Sequence, residues 1–244
     1  MKNVFRFLLA LLAFTVACKS DTVSSPPPTP AVGANYMNLA DNQTLIVHCK
    51  GVETEYSQTG DIVVQNNFDN DGHIAFGPLI ERNGYFVHPI TAFNFQGEQI
   101  GGGIVGYVGQ DANTVYGLNT HNTVLGTGIQ KDVSSGASWS VVPGLRGNPT
   151  VTVQRHLDTY QANGITYQDV IALSCTYNDV SVNNSGPDSS TRSEKAKGTL
   201  YFAKGGGFIY GEVESYELID SAVYLGTVYR YKHETVSGTI VRTN

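Results

Sequence analysis

Few residues of this chain could do chemistry by type and spacing. Asn67, Asp69 and Asp71 alternate and are followed by Gly72, the order in which oxygen ligands wrap a loop around calcium in an EF-hand. The bidentate acid that closes such a loop is missing, because six residues after Gly72 the chain has Pro78. With strands expected on both sides in place of helices, the segment reads as a hairpin turn. Weak calcium binding at Asn67, Asp69 and Asp71 is the alternative. Cys49 and Cys175 both lie in apolar runs, Leu45-Ile46-Val47-His48-Cys49 and Val170-Ile171-Ala172-Leu173-Ser174-Cys175. In an exported protein two such cysteines can pair, and closing a loop of that length contributes on the order of 4 kcal/mol on the chain-entropy model. Two buried free thiols, each a small hydrophobe, are the other arrangement. No Cys-x-x-Cys or His-x-x-x-His spacing accompanies them, so neither zinc nor another cofactor is expected.

Catalytic sets are no easier to assemble. The histidines at 48, 73, 88, 121, 156 and 233 stand singly, and His233-Glu234 has no second histidine four residues on. Ser138, in Gly136-Ala137-Ser138-Trp139, is outside any Gly-x-Ser-x-Gly elbow and has no assignable base. Glu212 and Glu214 share one face of an expected strand at roughly 7 Å, a spacing a glycosidase could use, although a solvated edge explains it as well. Gly205-Gly206-Gly207 after Lys204 reads as a tight turn, since no Lys-Ser or Lys-Thr follows and no helix opens there. No catalytic residue is assigned, and the chain is not expected to be an enzyme. Tyr201, Phe202, Phe208, Tyr210, Tyr216, Tyr224, Tyr229 and Tyr231 crowd the C-terminal part. Such rings either pack across strands or line the rim of a groove or interface.

The elements that must position these residues are strands. Of 244 residues 41% are hydrophobic and only 15% charged, with 27 glycines and 14 tyrosines, which excludes a coiled coil or a disordered chain. Fifteen basic against 21 acidic residues give a formal charge of -6, so no nucleic-acid partner is expected. From Tyr36 onward the apolar pattern has period two, with turn residues recurring every eight to twelve positions or so, the antiparallel signature. Strands are expected near 44–50, 52–58, 61–67, 73–80, 85–96, 99–108, 113–118, 123–131, 150–160, 165–178, 198–204, 207–218, 222–232 and 235–242. Asn83-Gly84 and Asn163-Gly164 are type I′ hairpin signals. Val180 to Ala196, rich in Asn, Ser, Asp and Gly, reads as a long polar loop. No segment has a capped amphipathic helical pattern, so the fold class is all-β, mainly antiparallel, with few short helices. Residues 36–244 form one domain, or two lobes joined near 140–150, where Pro143, Gly144, Gly147 and Pro149 cluster.

Ahead of that body lies an address. Lys2 and Arg6 precede an apolar run from Phe7 to Ala17 that is too short to span a bilayer and has the proportions of a secretory signal. Its end, Thr15-Val16-Ala17-Cys18, resembles the lipobox of bacterial lipoproteins, with Thr15 where that family most often has leucine. The resemblance implies cleavage after residue 17, a diacylglyceryl thioether and acylation, palmitate-type, at Cys18, and attachment to the membrane without crossing it. Several acyl chains on one residue give stable anchoring. A plain signal peptide leaving Cys18 as a thiol is the other reading. Loss of Lys2 and Arg6 and no acid takes the charge from -6 to -8. Lys19-Ser20-Asp21 resembles the export tags of surface lipoproteins in Bacteroidota. The prolines at 26, 27, 28 and 30 make residues 18–35 a stiff tether. Fully extended at about 3.1 Å per residue, it holds the body up to roughly 50 Å from the lipid.

A second resemblance lies in the C-terminal part. Gly164-Ile165-Thr166-Tyr167-Gln168-Asp169-Val170, then Tyr201-Phe202-Ala203-Lys204-Gly205-Gly206-Gly207, look like a recurring pattern of envelope lipoproteins, with Gly206 where valine is usual. Tyr36 to Leu45 and Gly136 to Trp139 are similar to the same proteins. They have the LolA-like fold, a strongly curved antiparallel sheet forming an incomplete barrel with a concave apolar face. The resemblance implies an outer-membrane, lipid-anchored protein, on the periplasmic side or the cell surface. Its body would bind an apolar small molecule or an envelope protein without catalysis. A structural or adhesive surface module is the alternative, and a hydrolase comes last.

Overall fold

The computed structural model describes residues 36, 39–93, 99, 103–111, 114–118, 124–130, 134–140, 149–185, 188–224 and 227–243. The signal, Cys18 and the tether lie outside the described residues, as do 141–148 of the expected junction. Thirteen strands account for most of the described chain: β1 (Thr44–Tyr56), β2 (Ile62–Phe76), β3 (Ile80–Arg82), β4 (Tyr85–Phe93), β5 (Gly106–Gln110), β6 (Thr114–Leu118) and β7 (Val124–Gln130), then β8 (Ser138–Ser140), β9 (Thr150–Ala162), β10 (Ile165–Ser185), β11 (Asp188–Ala203), β12 (Gly207–Tyr224) and β13 (Thr227–Arg242). The fold class is the expected one, all-β and antiparallel, and no helix occurs among the described residues.

The strands form one open sheet in the order β7-β6-β5-β4-β2-β1-β13-β12-β11-β10-β9-β8, with β3 added beside β4. Connectivity forces this sheet to curl. β7 and β8 are its two edges, and eleven spacings of about 4.8 Å would put the edges of a flat sheet roughly 53 Å apart. Gln130 and Ser138 are only eight residues apart in sequence, a reach of at most about 29 Å. The edges must therefore bend toward each other. The core agrees with that bend: Val115 and Ile129 near one edge share a buried cluster with Val151 and Val153 near the other, and with Val47, Ile74, Leu173, Leu200, Phe202 and Ile240 between them. Each such side chain, fully buried, stabilises the fold by about 1.5–3 kcal/mol.

Turn chemistry holds the hairpins as expected. Asn83 and Gly84 have φ of 50° and 79°, and Asn163 and Gly164 have 49° and 74°, the positive values that a type I′ turn requires. In the β11–β12 turn Gly205 and Gly207 take φ of 70° and 79°. There the Gly206 N–H donates to Ala203 O at 3.0 Å, and the Arg242 guanidinium donates to Gly206 O.

Several expectations are corrected. Val180 to Ala196 is not a loop: β10 and β11 continue through it as a regular ladder, with Val180 opposite Ser193 and Asn184 opposite Ser189. Val180 and Val182 are exposed and most of the residues around them are polar, so no run of buried apolar positions marks these strands in the sequence. Segments 44–50 and 52–58 are one strand, as are 61–67 and 73–80. Asn67 to Gly72 is consequently not a hairpin turn but the middle of β2, paired in register with Gly72 opposite Val47 and Asn67 opposite Val52. Trp139 pairs with Val151 and Ser140 with Thr150, so residues on both sides of 140–150 belong to the same sheet.

Candidate functional site

Register fixes which side chains share a face of the central strands. Taken across the ladder, Tyr201, Tyr210, Val241, His48 and Asp71 are successive partners on β11, β12, β13, β1 and β2. Their neighbours two residues along, Thr199, Glu212, Thr239, Lys50 and Asp69, form the next row. Alternation puts both rows on the face opposite the core, because Leu45, Val47 and Cys49 occupy the intervening positions of β1 and are buried.

Two aromatic groups stand on this outer face. At one end Val170, Ala172, Ala203 and Ile209 make an apolar floor. The small Ala172, opposite Tyr201, lets Tyr160 reach across β10 and stack on the Tyr201 ring at 4.3 Å and 19°. Tyr210 closes the group at 5.7 Å from Tyr201, and its hydroxyl donates to Glu212 Oε1 at 3.0 Å. Burial, followed by that hydrogen bond and the Glu212 charge, pushes the Tyr210 phenol up to about 12. At the other end His233 is sandwiched between Tyr56, stacked at 4.5 Å, and Tyr216, edge-on at 5.2 Å. The Lys195 ammonium lies 5.9 Å above the Tyr216 ring. Tyr210 and Tyr216 belong to the same strand and face, so the two groups are about 20 Å apart along β12.

The inner face changes character along its length. Past Val236 and Val213 the apolar core gives way to ions. Lys232 Nζ lies 2.6 Å from Glu217 Oε2 and 2.8 Å from Glu234 Oε2. Arg192 Nη2 is 3.0 Å from Glu217 Oε1 and also pairs with Glu194. Glu53 and Glu234 are buried. Burial alone would raise Glu217, but the hydrogen bonds and charges of Lys232 and Arg192 outweigh it and hold the carboxyl below its ordinary value. Lys232 is held above its own: burial opposes this, and the bonds to Glu217 and Glu234 prevail. These acids escape a motif search, yet strand phase gives them away. Glu217 is in step with Val213, and Glu234 and Lys232 with Val236 and Ile240, so all three point inward.

The residues singled out from sequence are not brought together into a reacting set. Asp69 and Asp71 are exposed on the outer face and engage His48 and Lys50, while Asn67 is exposed further along β2. Cys49 and Cys175 are buried free thiols on β1 and β10, with three strands between them. Of the two arrangements open from sequence, the free thiols are the one present. Burial pushes both up to about 12, with the Asp71 charge adding to the effect at Cys49. Glu212 and Glu214 do share a face, on an interior strand and not at an edge, and Glu214 Oε2 pairs with Lys197 Nζ at 2.8 Å. Ser138 Oγ accepts from Thr152 Oγ1 at 3.0 Å. The buried His88 has Nδ1 2.9 Å from Gly77 O, and His73 stacks on Phe93. Among the described residues no group of three His, Cys, Asp or Glu side chains could hold a metal ion.

Compared with known proteins, the chain matches no family model, no curated protein and no solved structure.

Proposed function

We propose that this chain is a non-catalytic lipoprotein of a bacterial envelope, anchored in the outer membrane through Cys18, whose curved LolA-like sheet works by binding. Of the two ligand classes that such a sheet can take, an envelope partner is favoured over an apolar small molecule. One observation carries this: the apolar inner face is filled by the chain's own side chains, with Val47 and Val153 at 0% exposure and Ile74, Ile171 and Ile240 at 1%. The outer face, by contrast, leaves charged side chains in water and the rings of Tyr56, Tyr160, Tyr210, Tyr216 and His233 half-buried. An apolar ligand would have to displace packed core, whereas a partner can dock without unpacking anything.

Growth with radioactive palmitate tests the anchor: label should enter the wild-type protein and not Cys18→Ser, which should also leave the membrane fraction. Titration with a lipophilic fluorescent probe tests the choice of ligand class. Non-saturable binding is expected, and saturation at one probe per chain would reverse the preference.

A further inference from the structure

Beyond binding in general, and resting on that reading, the geometry points to an occupant for the outer face: we infer that it holds an uncharged, extended polysaccharide along β12, stacked at both ends on the tyrosine groups.

The two aromatic groups are separated by a polar strip, not by apolar surface. Glu212 is flanked by Thr199 and Thr239, Glu214 by Lys197 and Ser237, and Tyr216 by Lys195 and Thr235. Each row therefore offers hydroxyl, carboxylate or ammonium groups on a regular ladder, with no bulge between Tyr210 and Tyr216. A sugar chain has the complementary pattern: ring faces made of C–H groups that lie against aromatic rings, and equatorial hydroxyls that both donate and accept. Tyr and His suit this, since each presents a flat ring beside a polar tip. The span of about 20 Å between the groups fits a short run of sugar rings and is far beyond a single one.

Charge selects the class. Among the described side chains, Arg155, Lys50, Lys195 and Lys197 are the cations of this face, and Asp69, Asp71, Glu212 and Glu214 are its anions, four of each. The whole chain is at -6, yet this face is balanced, and Lys50–Asp69 and Lys197–Glu214 are already paired. A nucleic acid, an acidic glycan or an anionic lipid surface needs a basic excess that is missing here. Among envelope partners a protein would need a contiguous apolar centre, but the exposed large apolar residues lie apart, with Ile46 on β1, Ile62 and Val63 at the start of β2, Leu79 and Ile104 outside the strands, and Ile165 at the opposite end of β10 from Val180 and Val182, so a glycan suits this face better.

The test uses the full-length lipidated protein in detergent micelles. Depletion by insoluble cellulose, chitin, xylan, mannan and mixed-linkage glucan is measured, followed by calorimetry with hexasaccharides of any polymer that binds. Binding to at least one neutral polymer is expected, with affinity unchanged from low to high salt. Tyr160→Ala and Tyr216→Ala should each weaken it roughly tenfold. Tyr210→Phe, which keeps the ring, should retain binding. If one alanine variant loses its fold by circular dichroism, the other, at the opposite end of the strip, carries the same test. Failure of every neutral polymer to deplete folded protein overturns the inference. Equal binding by both alanine variants, or binding confined to alginate or heparin and abolished by salt, does the same. Those results leave the lipoprotein reading standing, which fails separately if palmitate does not label the chain or if bound glycan is cleaved.

Discussion

His48 and Asp71 face each other directly across the β1–β2 ladder, with Nδ1 of the ring 2.7 Å from Asp71 Oδ1. The other ring nitrogen lies 2.9 Å from Asp69 Oδ1, so one imidazole stands between the two carboxylates that a calcium loop would converge on its ion. Their alternation, which on a loop would wrap a cation, on a strand merely sets both acids on one face.

Calcium should therefore be ignored. Titration calorimetry of wild type, Asp69→Ala and Asp71→Ala is expected to give the same featureless trace, and millimolar calcium should leave the Tm unchanged. His48→Ala, which removes only two solvent-exposed contacts, with Asp69 and Asp71, should cost less than about 1 kcal/mol in urea denaturation.

The inner face at the middle of β1 depends on two glycines. Gly51 and Gly238 are partners across β1 and β13. A Cβ added at Gly51 would lie 2.2 Å from Ser237 O and 2.5 Å from the Phe68 ring. Phe68 thus lies over both glycines and seals a gap that no side chain of their own could fill. Gly51→Ala should destabilise by about 1–3 kcal/mol through overpacking. Phe68→Ala should cost about 3–5 kcal/mol by leaving a cavity. Urea midpoints measure both, and the two losses should not add, because the sites are in contact.

Cys49 and Cys175 are buried, and their thiols are pushed up to about 12. The nucleophile is the thiolate, so neither should react with iodoacetamide in the folded protein at pH 8. Both should label fully in guanidinium, read by mass spectrometry without prior reduction. A mass lower by two hydrogens with no labelling would mean a disulfide.

The same physics explains what the sequence made legible and what it hid. Strand type, antiparallel order and the turns at Asn83-Gly84 and Asn163-Gly164 could be read because one buried face imposes period two and positive φ selects Asn and Gly. Gly51 looked like a break between two strands, since the residue that makes it tolerable, Phe68, belongs to another strand. Val180 to Ala196 looked like a loop because its few apolar residues, the exposed Val180 and Val182 and the small Ala196, are outnumbered by Asn, Ser and Asp. Tyr160 stacking on Tyr201 joins strands that are not neighbours and leaves no local signal. Curvature was the subtlest: it follows from a short β7–β8 connection, but only once strand order is known.

The ion cluster on the inner face should give the protein a stability plateau with two sloping sides. Glu217 is held below its ordinary value by Lys232 and Arg192 against the opposing effect of burial, so its contribution is complete above the unfolded carboxyl value of about 4.3. That contribution is lost as pH falls through the lower folded value. Lys232 is held above its ordinary value, so its contribution is complete below about 10.4 and is lost as pH rises through the higher folded value. The two effects leave the interval between unaffected, and urea midpoints measured across it should be flat as far as this cluster is concerned. Glu217→Gln should flatten the acid limb and leave the alkaline limb shallower but present, because Glu234 still pairs with Lys232 at 2.8 Å. Lys232→Met should remove this group's alkaline contribution and cost about 1–3 kcal/mol at neutral pH, between the values for exposed and fully buried pairs. With Lys232 gone, Glu217 still faces Arg192, 3.0 Å away, but has lost its shortest ion pair, and the acid limb should move to higher pH. An acid limb that stays where it is in Lys232→Met would show that Lys232 does not hold Glu217 down.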